Sequence, residues 1–216
     1  MPLWVRAFAS YYTGDGAPRP IDRNGQDFVH ALKGEEIKGN YANIPFKGGY
    51  RKIIRADARP AIEIFTEWVA DELRALNDGP YVLVPVPPCT ATRETPDGHR
   101  TDALAQRIVL KYGEGAQSLS LFWWKVKHPS TRQGGSRDPN VIFQNLLERK
   151  PPYPQGTYVL LDDVMTSGGH LQACAAKLRA LGLPLKIALC GGRTFHTAPD
   201  NPFGGFEIEL PDFIPK

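Results

Sequence analysis

Residues Tyr158–Leu161 form an unbroken apolar run that stops on Asp162-Asp163, passes through Val164-Met165 into Thr166-Ser167-Gly168-Gly169-His170, and enters a segment striped by Leu171, Cys174, Leu178 and Leu181. An apolar run without polar alternation belongs to a strand buried on both faces, and spacings of three and four belong to an amphipathic helix. The stretch predicts a strand over 158–161, a tight turn and a helix ended by Gly182, the repeating unit of a parallel sheet covered by helices. Tyr81–Val86, halted by Pro87-Pro88, and Leu185–Cys190 are further apolar strands, and Leu119–Trp124 is another candidate. Ile62, Phe65, Val69 and Leu73, then Leu104 and Ile108, mark helices between them. The order β-α-β-loop-β-α-β, joined by right-handed crossovers, gives an α/β fold: a Rossmann-like, mainly parallel sheet with helices on both faces.

A chain of 216 residues suits one domain with a small elaboration. The first fifty-odd residues are interrupted by Gly14-Asp15-Gly16, Lys38-Gly39-Asn40 and Lys47-Gly48-Gly49, so residues 1–58 read as an N-terminal hood and 59–216 as the α/β core. Within 197–216, Phe206–Leu210 alternates apolar and acidic residues and adds an edge strand or returns to the hood. With 42% hydrophobic and 23% charged residues the chain can bury a sizeable core, which excludes wholesale disorder. A net charge of +3 neither demands nor excludes an anionic partner. Three scattered cysteines, Cys89, Cys174 and Cys190, supply neither a disulfide framework nor a four-ligand zinc site, and fit a reducing cytoplasm. No segment approaches the roughly 18 apolar residues of a membrane span, and the N-terminus lacks a basic-then-apolar leader, so no membrane partner is expected.

The chemistry concentrates after the apolar strand. A helix N-terminus offers unpaired N–H groups and a positive dipole end; Gly168 and Gly169 let the backbone curl, and Thr166 and Ser167 add hydroxyl donors. That is a cradle for phosphate. Two carboxylates beside it would repel phosphate alone, so they require a target of their own, either a vicinal diol or hydrated Mg²⁺. A phosphate beside a diol describes a ribose 5-phosphate. A P-loop is excluded because no Gly-Lys-Ser/Thr occurs, and no G-x-G-x-x-G follows a strand. The plainer alternative is that the acids cap a turn the glycines permit. It does not account for strand, double acid, Thr-Ser-Gly-Gly and amphipathic helix arriving in register.

This segment resembles the PRPP-binding signature of type I phosphoribosyltransferases. Val84-Pro85-Val86-Pro87 with Arg93 after it, Gln133, Arg137, Asn140 and Phe143 in the central loop, and Arg193-Thr194 resemble the ComF branch of that family. The likeness spans about residues 80–195. It implies a type I phosphoribosyltransferase fold with a hood, PRPP bound with Mg²⁺, and displacement of pyrophosphate from the anomeric carbon by a nitrogen nucleophile. The implied partners are thus PRPP and a nitrogen acceptor such as a nucleobase, and a homodimer is compatible with the family.

The same resemblance implies roles. Asp162 and Asp163 hold the ribose hydroxyls; Thr166, Ser167, Gly168, Gly169 and His170 surround the 5-phosphate; and Pro87, Pro88 and Cys89, leading to Arg93, face pyrophosphate. The long loop around Lys127–Arg137 is similar to the family's mobile loop, with Lys127 and Arg132 neutralising the leaving group, and Arg193 reaches the base or phosphate region. The chain departs from the pattern in having His170 where the signature usually has Thr, and in lacking the four-cysteine ribbon of many ComF-like chains. A non-catalytic PRPP- or nucleotide-binding role, accessory or regulatory and linked to DNA uptake, is the alternative the likeness allows. No protein-held metal is expected, because His30, His99, His128 and His196 lack partners at ligand spacing. Trp123-Trp124 beside Lys125 and Lys127 can be read as a stacking platform for single-stranded nucleic acid, but one buried and one half-exposed tryptophan is the simpler expectation.

Overall fold

The computed structural model describes residues 1–95, 98–127 and 134–216. Among them the chain runs β1 (Leu3–Tyr12), α1 (Pro20–Leu32), β2 (Tyr41–Phe46), β3 (Gly49–Ile54), α2 (Arg59–Leu76), β4 (Tyr81–Pro85), α3 (Arg100–Tyr112) and β5 (Ala116–Ser118). It continues through β6 (Phe122–Trp124), α4 (Pro139–Asn145), β7 (Leu146–Glu148), β8 (Thr157–Met165), α5 (Gly169–Ala180), β9 (Leu185–Phe195) and β10 (Phe206–Leu210). Six strands make one sheet in the order β10-β1-β9-β8-β4-β5, parallel except for β10 at the edge. This is the mainly parallel α/β fold that the sequence predicts. No helix of the described residues is long and apolar enough to cross a membrane.

Apolar strands dictate two covered faces. On one, Phe28 and Leu32 of α1, Ile44 and Ile53 of the β2–β3 hairpin, Phe65 of α2 and Ile108 of α3 pack against Phe8, Leu83, Val159, Leu161 and Leu189. On the other, Leu171, Cys174 and Leu178 of α5, Ile142 of α4 and Trp124 of β6 pack against Val82, Val84, Tyr158 and Leu160.

The winding places the site. β4 leads through α3 on the first face to β5, and β8 leads through α5 on the second face to β9, in the opposite direction along the sheet. β4 and β8 are therefore the neighbours at which the strand order reverses, and open α/β sheets form their ligand crevices outside the carboxyl ends of such strands. Proline widens that crevice. The β4–β8 register ends at Pro85↔Leu161, because Pro87 and Pro88 have no N–H to lend a ladder, while β8 stays paired with β9 as far as Met165↔Arg193.

Three sequence expectations are corrected here. The strand expected over 158–161 continues to Met165, so both aspartates lie on β8 itself: backbone pairing with β9 persists at a sheet end where carboxylates can reach open space. β1, read from the sequence as part of the 1–58 hood, is an inner strand between β9 and β10, with Val5, Ala7 and Ala9 buried. Leu119–Trp124 is not a strand of the main sheet; Ala116–Ser118 pairs with β4, whereas Phe122–Trp124 forms a separate antiparallel hairpin with β7. β10 does take the edge, against β1.

Close approach of α1 to β9 requires Gly191. A Cβ there would lie 2.3 Å from Leu32 Cδ1 and 2.8 Å from the Asp163 carbonyl oxygen, and Leu32 is fully buried. Gly191→Ala is expected to destabilise the fold by about 1–3 kcal/mol through overpacking, lowering Tm by about 2–4 °C per kcal/mol. A melt superimposable on that of the wild type would mean that α1 does not press on β9 here.

Candidate active site

The crevice holds two adjoining cavities. One, of about 240 Å³, is walled by Pro87, Pro88 and Cys89 after β4, by Arg100 and Thr101 at the start of α3, and by Asp162, Asp163 and His170. The other, of about 550 Å³, is walled by Thr166 and Ser167 after β8, Arg137 before α4, Tyr11 and Thr13 at the end of β1, and Thr194 and His196 at the end of β9. Lys33, Glu35, Val164 and Thr166 line both. Four strand ends thus converge with the segment that follows α1, as parallel strands require.

Successive residues of a strand point to opposite faces, and the two aspartates obey this. Asp163 turns toward α3, where Arg100 Nη2 donates to its Oδ2 at 2.5 Å; Arg100 also donates to the Leu32 carbonyl, tying α3, α1 and β8 together. Asp162 lies near α5, close enough to the Cys174 thiol to reinforce the upward push that burial gives it. Burial, and after it the charge of Asp163, hold the Asp162 carboxyl well above the usual carboxylate range. The Asp163 N–H, donating to Asp162 Oδ1 at 2.8 Å, and the positive charges of Lys33 and Arg100 pull in the other direction. The acids are therefore unequal. Asp163 is an ion-paired acceptor; Asp162, when neutral, offers both a donor and an acceptor, and together they can satisfy two hydroxyl groups.

The bend after β8 is open at one end and covered at the other. Ser167 is exposed and Thr166 half-buried, whereas Gly168 and Gly169 are buried. Gly168 caps α5 at φ +82°, and a Cβ on it would lie 2.7 Å from Leu210; one on Gly169 would lie 2.4 Å from the Arg137 carbonyl oxygen. Both glycines therefore have packing reasons to be glycine, beyond any ligand. The hydroxyls of Thr166 and Ser167, with Lys33 and Arg137 facing them, supply hydrogen-bond donors and positive charge suited to a phosphate-sized anion.

No protein-family model and no curated protein matches this chain. Among solved structures, it is similar to a hypoxanthine phosphoribosyltransferase from Staphylococcus aureus over 66% of this chain and 78% of that one, at 11% identity and a TM-score of 0.39. It is also similar to an adenine phosphoribosyltransferase over 77% of this chain and 89% of that one, at 14% identity and a TM-score of 0.41.

The structure brings together Asp162, Asp163, Thr166, His170, Pro87, Pro88 and Cys89 in one cavity, with Ser167 in the next. His170 stands on the diacid side rather than with Ser167, its ring edge-on to Trp124 at 5.6 Å between centroids. Arg93 and Lys127 are exposed and line neither cavity, and Arg132 lies outside the described residues. Arg193 also lines neither: its guanidinium sits over the Phe195 ring at 4.8 Å, and burial lowers its pKa. Its neighbour Thr194 reaches the larger cavity instead, because alternation along β9 sends the two side chains to different faces. Trp124 is 0% exposed and offers no stacking face, and Trp123 is half-buried, one buried and one half-exposed tryptophan as the simpler expectation has it. Nothing local in the sequence marks Lys33, Glu35 or Tyr11 for this site; only the closure of α1 and β1 over β8 brings them here.

Proposed function

We propose that this crevice binds PRPP and transfers its phosphoribosyl group to a nitrogen acceptor, a nucleobase or related amine, releasing pyrophosphate. The observation that carries the reading is the shared rim: the diacid cavity and the hydroxyl-lined cavity meet at Val164 and Thr166, so acceptors for a diol and donors for a phosphate stand side by side. In this reading Thr166, Ser167, Lys33 and Arg137 hold the 5-phosphate, and Asp162 and Asp163 hold the ribose hydroxyls. Pyrophosphate lies by Pro87–Cys89 and Arg100, at the positive end of α3. The hood is α1 with the β2–β3 hairpin, and the type I phosphoribosyltransferase likeness, including its ComF branch, rests on the sequence matches.

Among the described residues no three His, Cys, Asp or Glu cluster as a metal site, and Asp163 is engaged by Arg100. That donor set suits Mg²⁺ carried in on the pyrophosphate of the substrate. The chain's own contribution is electrostatic: cations by the leaving group, carboxylates near the sugar as it gains positive charge, and a recessed crevice that limits water.

Cys89 provides the test, because it is the one partly exposed thiol; Cys174 and Cys190 are buried, and burial pushes both thiols up. A thiol reagent is expected to modify one cysteine of the native protein, and saturating PRPP with Mg²⁺ to slow that reaction about tenfold. A panel of free bases including hypoxanthine and adenine is expected to elicit pyrophosphate. Undiminished labelling together with no pyrophosphate would remove the reading. Protection without release favours the accessory binding role, for which the engagement of Asp163 by Arg100 is the supporting observation.

A further inference from the structure

We infer that Glu35, contributed by the segment that follows α1, is the group that accepts the proton given up by the nitrogen acceptor. The inference rests on the phosphoribosyl-transfer reading above. As the N–C1 bond forms, the C1–O bond to pyrophosphate breaks and its electron pair leaves on the phosphate oxygen; the acceptor's N–H proton must pass to a base within reach.

Three carboxylates line the paired cavities among the described residues, and Glu35 is the one that lines both. Asp163 is committed to Arg100, and Asp162 lies beneath the sugar position with its charge disfavoured by burial. A ribose with its phosphate at Thr166 and Ser167 and its hydroxyls at the aspartates straddles the rim that Glu35 overlooks. Glu35 is also held. His30, whose side chain is 8% exposed, has its Nδ1 2.5 Å from Glu35 Oε2, and the Glu35 N–H donates to the His30 carbonyl at 2.9 Å. On the far side of the imidazole the Tyr11 hydroxyl lies 3.4 Å from Nε2, with the rings edge-on at 5.6 Å. A carboxylate only accepts, so the Nδ1 that faces Glu35 carries the hydrogen and donates it, with the Tyr11 hydroxyl beside Nε2. This orients the carboxylate by two groups anchored in β1 and α1, so His30 and Tyr11 are positioning residues and Glu35 is the catalytic one. The proton taken by Glu35 returns to solvent once the product nucleotide departs.

The test compares wild type with Glu35→Gln, Glu35→Asp and Glu35→Ala, following PRPP–Mg²⁺ binding by calorimetry and pyrophosphate release with the same base panel. Glu35→Gln is expected to bind PRPP within about threefold of wild type while kcat falls about 10²–10⁴-fold, with KM for PRPP little changed. Glu35→Asp should recover part of the loss. Added formate should raise the turnover of Glu35→Ala, whose truncated side chain leaves room for it, and leave wild type unaffected, a response that a merely structural role does not give. Turnover of Glu35→Gln within about threefold of wild type, or a loss in Glu35→Ala that formate does not repair, overturns the assignment. Wild type that binds PRPP yet releases no pyrophosphate with any base overturns it while sparing the binding site. Wild type that fails to bind PRPP removes the underlying reading and this one with it.

Discussion

With asparagine at both 162 and 163, the protein is expected to lose about 10–10³-fold in PRPP affinity, because Asp163 gives up a charge-assisted hydrogen bond to a sugar hydroxyl at about 1.5–3 kcal/mol and Asp162 a neutral one at about 0.5–1.5 kcal/mol. The single variants are expected to separate in stability. Asp162 has its pKa raised in the folded state, so between the ordinary carboxylate value and that raised value the folded chain binds a proton that the unfolded chain releases. Its contribution to stability therefore falls as pH rises through this window and stays unfavourable above it. Asp162→Asn removes the penalty and keeps an oxygen to accept the Asp163 N–H, so Tm at pH 7 should rise by about 2–4 °C for each kcal/mol relieved. The gain should shrink as pH is lowered toward and below about 4, where the carboxyl of the unfolded chain also takes up its proton. Asp163→Asn does the reverse, because it strips Arg100 of its ion-pair partner in a site where Asp163 retains only 13% side-chain exposure. Calorimetry with PRPP and melts between pH 4 and 8 read both halves. Retained PRPP affinity in the double variant would withdraw the aspartates from sugar binding, and equal melting shifts for the two single variants would contradict the unequal environments described here.

The pairing of strand, double acid, turn and helix was legible because Tyr158–Leu161 has no polar interruption and the α5 stripe has the helical period; both are local signals. The same locality misled at Asp162-Asp163, where polarity suggested a turn and the ladder to β9 instead carried the strand onward, sending the two acids to opposite faces. The place of β1 as an inner strand is not legible locally, because its buried residues include Ala7 and Ala9, too small to announce a core, and because its neighbours β9 and β10 lie almost two hundred residues away. The resemblance names Arg193 for the site, yet side-chain direction along β9 brings its neighbour Thr194 to the cavity instead. Lys33 and Glu35 could be found only from long-range closure, since a Lys-Gly-Glu after a helix has many surface uses and a single chemical one here.

Trp124→Ala is expected to be the most damaging single substitution to the fold around the site, at about 3–5 kcal/mol, and to weaken PRPP binding without touching a ligand. Trp124 is fully buried, and it ties β6 to the loop after β4 and to α5. Its indole Nε1 donates to the Pro88 carbonyl at 2.8 Å, its backbone N–H donates to the Ala91 carbonyl at 2.8 Å, and its ring meets that of His170 in the first turn of α5. The wall of the diacid cavity from Pro87 to Cys89 has no ladder to hold it, because its prolines end β4, so the indole is what fixes its distance from β8. Trp124→Phe separates the two contributions. It keeps most of the buried ring and deletes the donor, leaving the Pro88 carbonyl with the Ala91 N–H alone at a cost of about 0.5–1.5 kcal/mol, so a modest fall in Tm should accompany a larger proportional loss of PRPP affinity. Trp124→Ala should lower both together. If Trp124→Phe melts lower yet binds PRPP as wild type does, the tryptophan supports the core alone and the loop after β4 is held by something else.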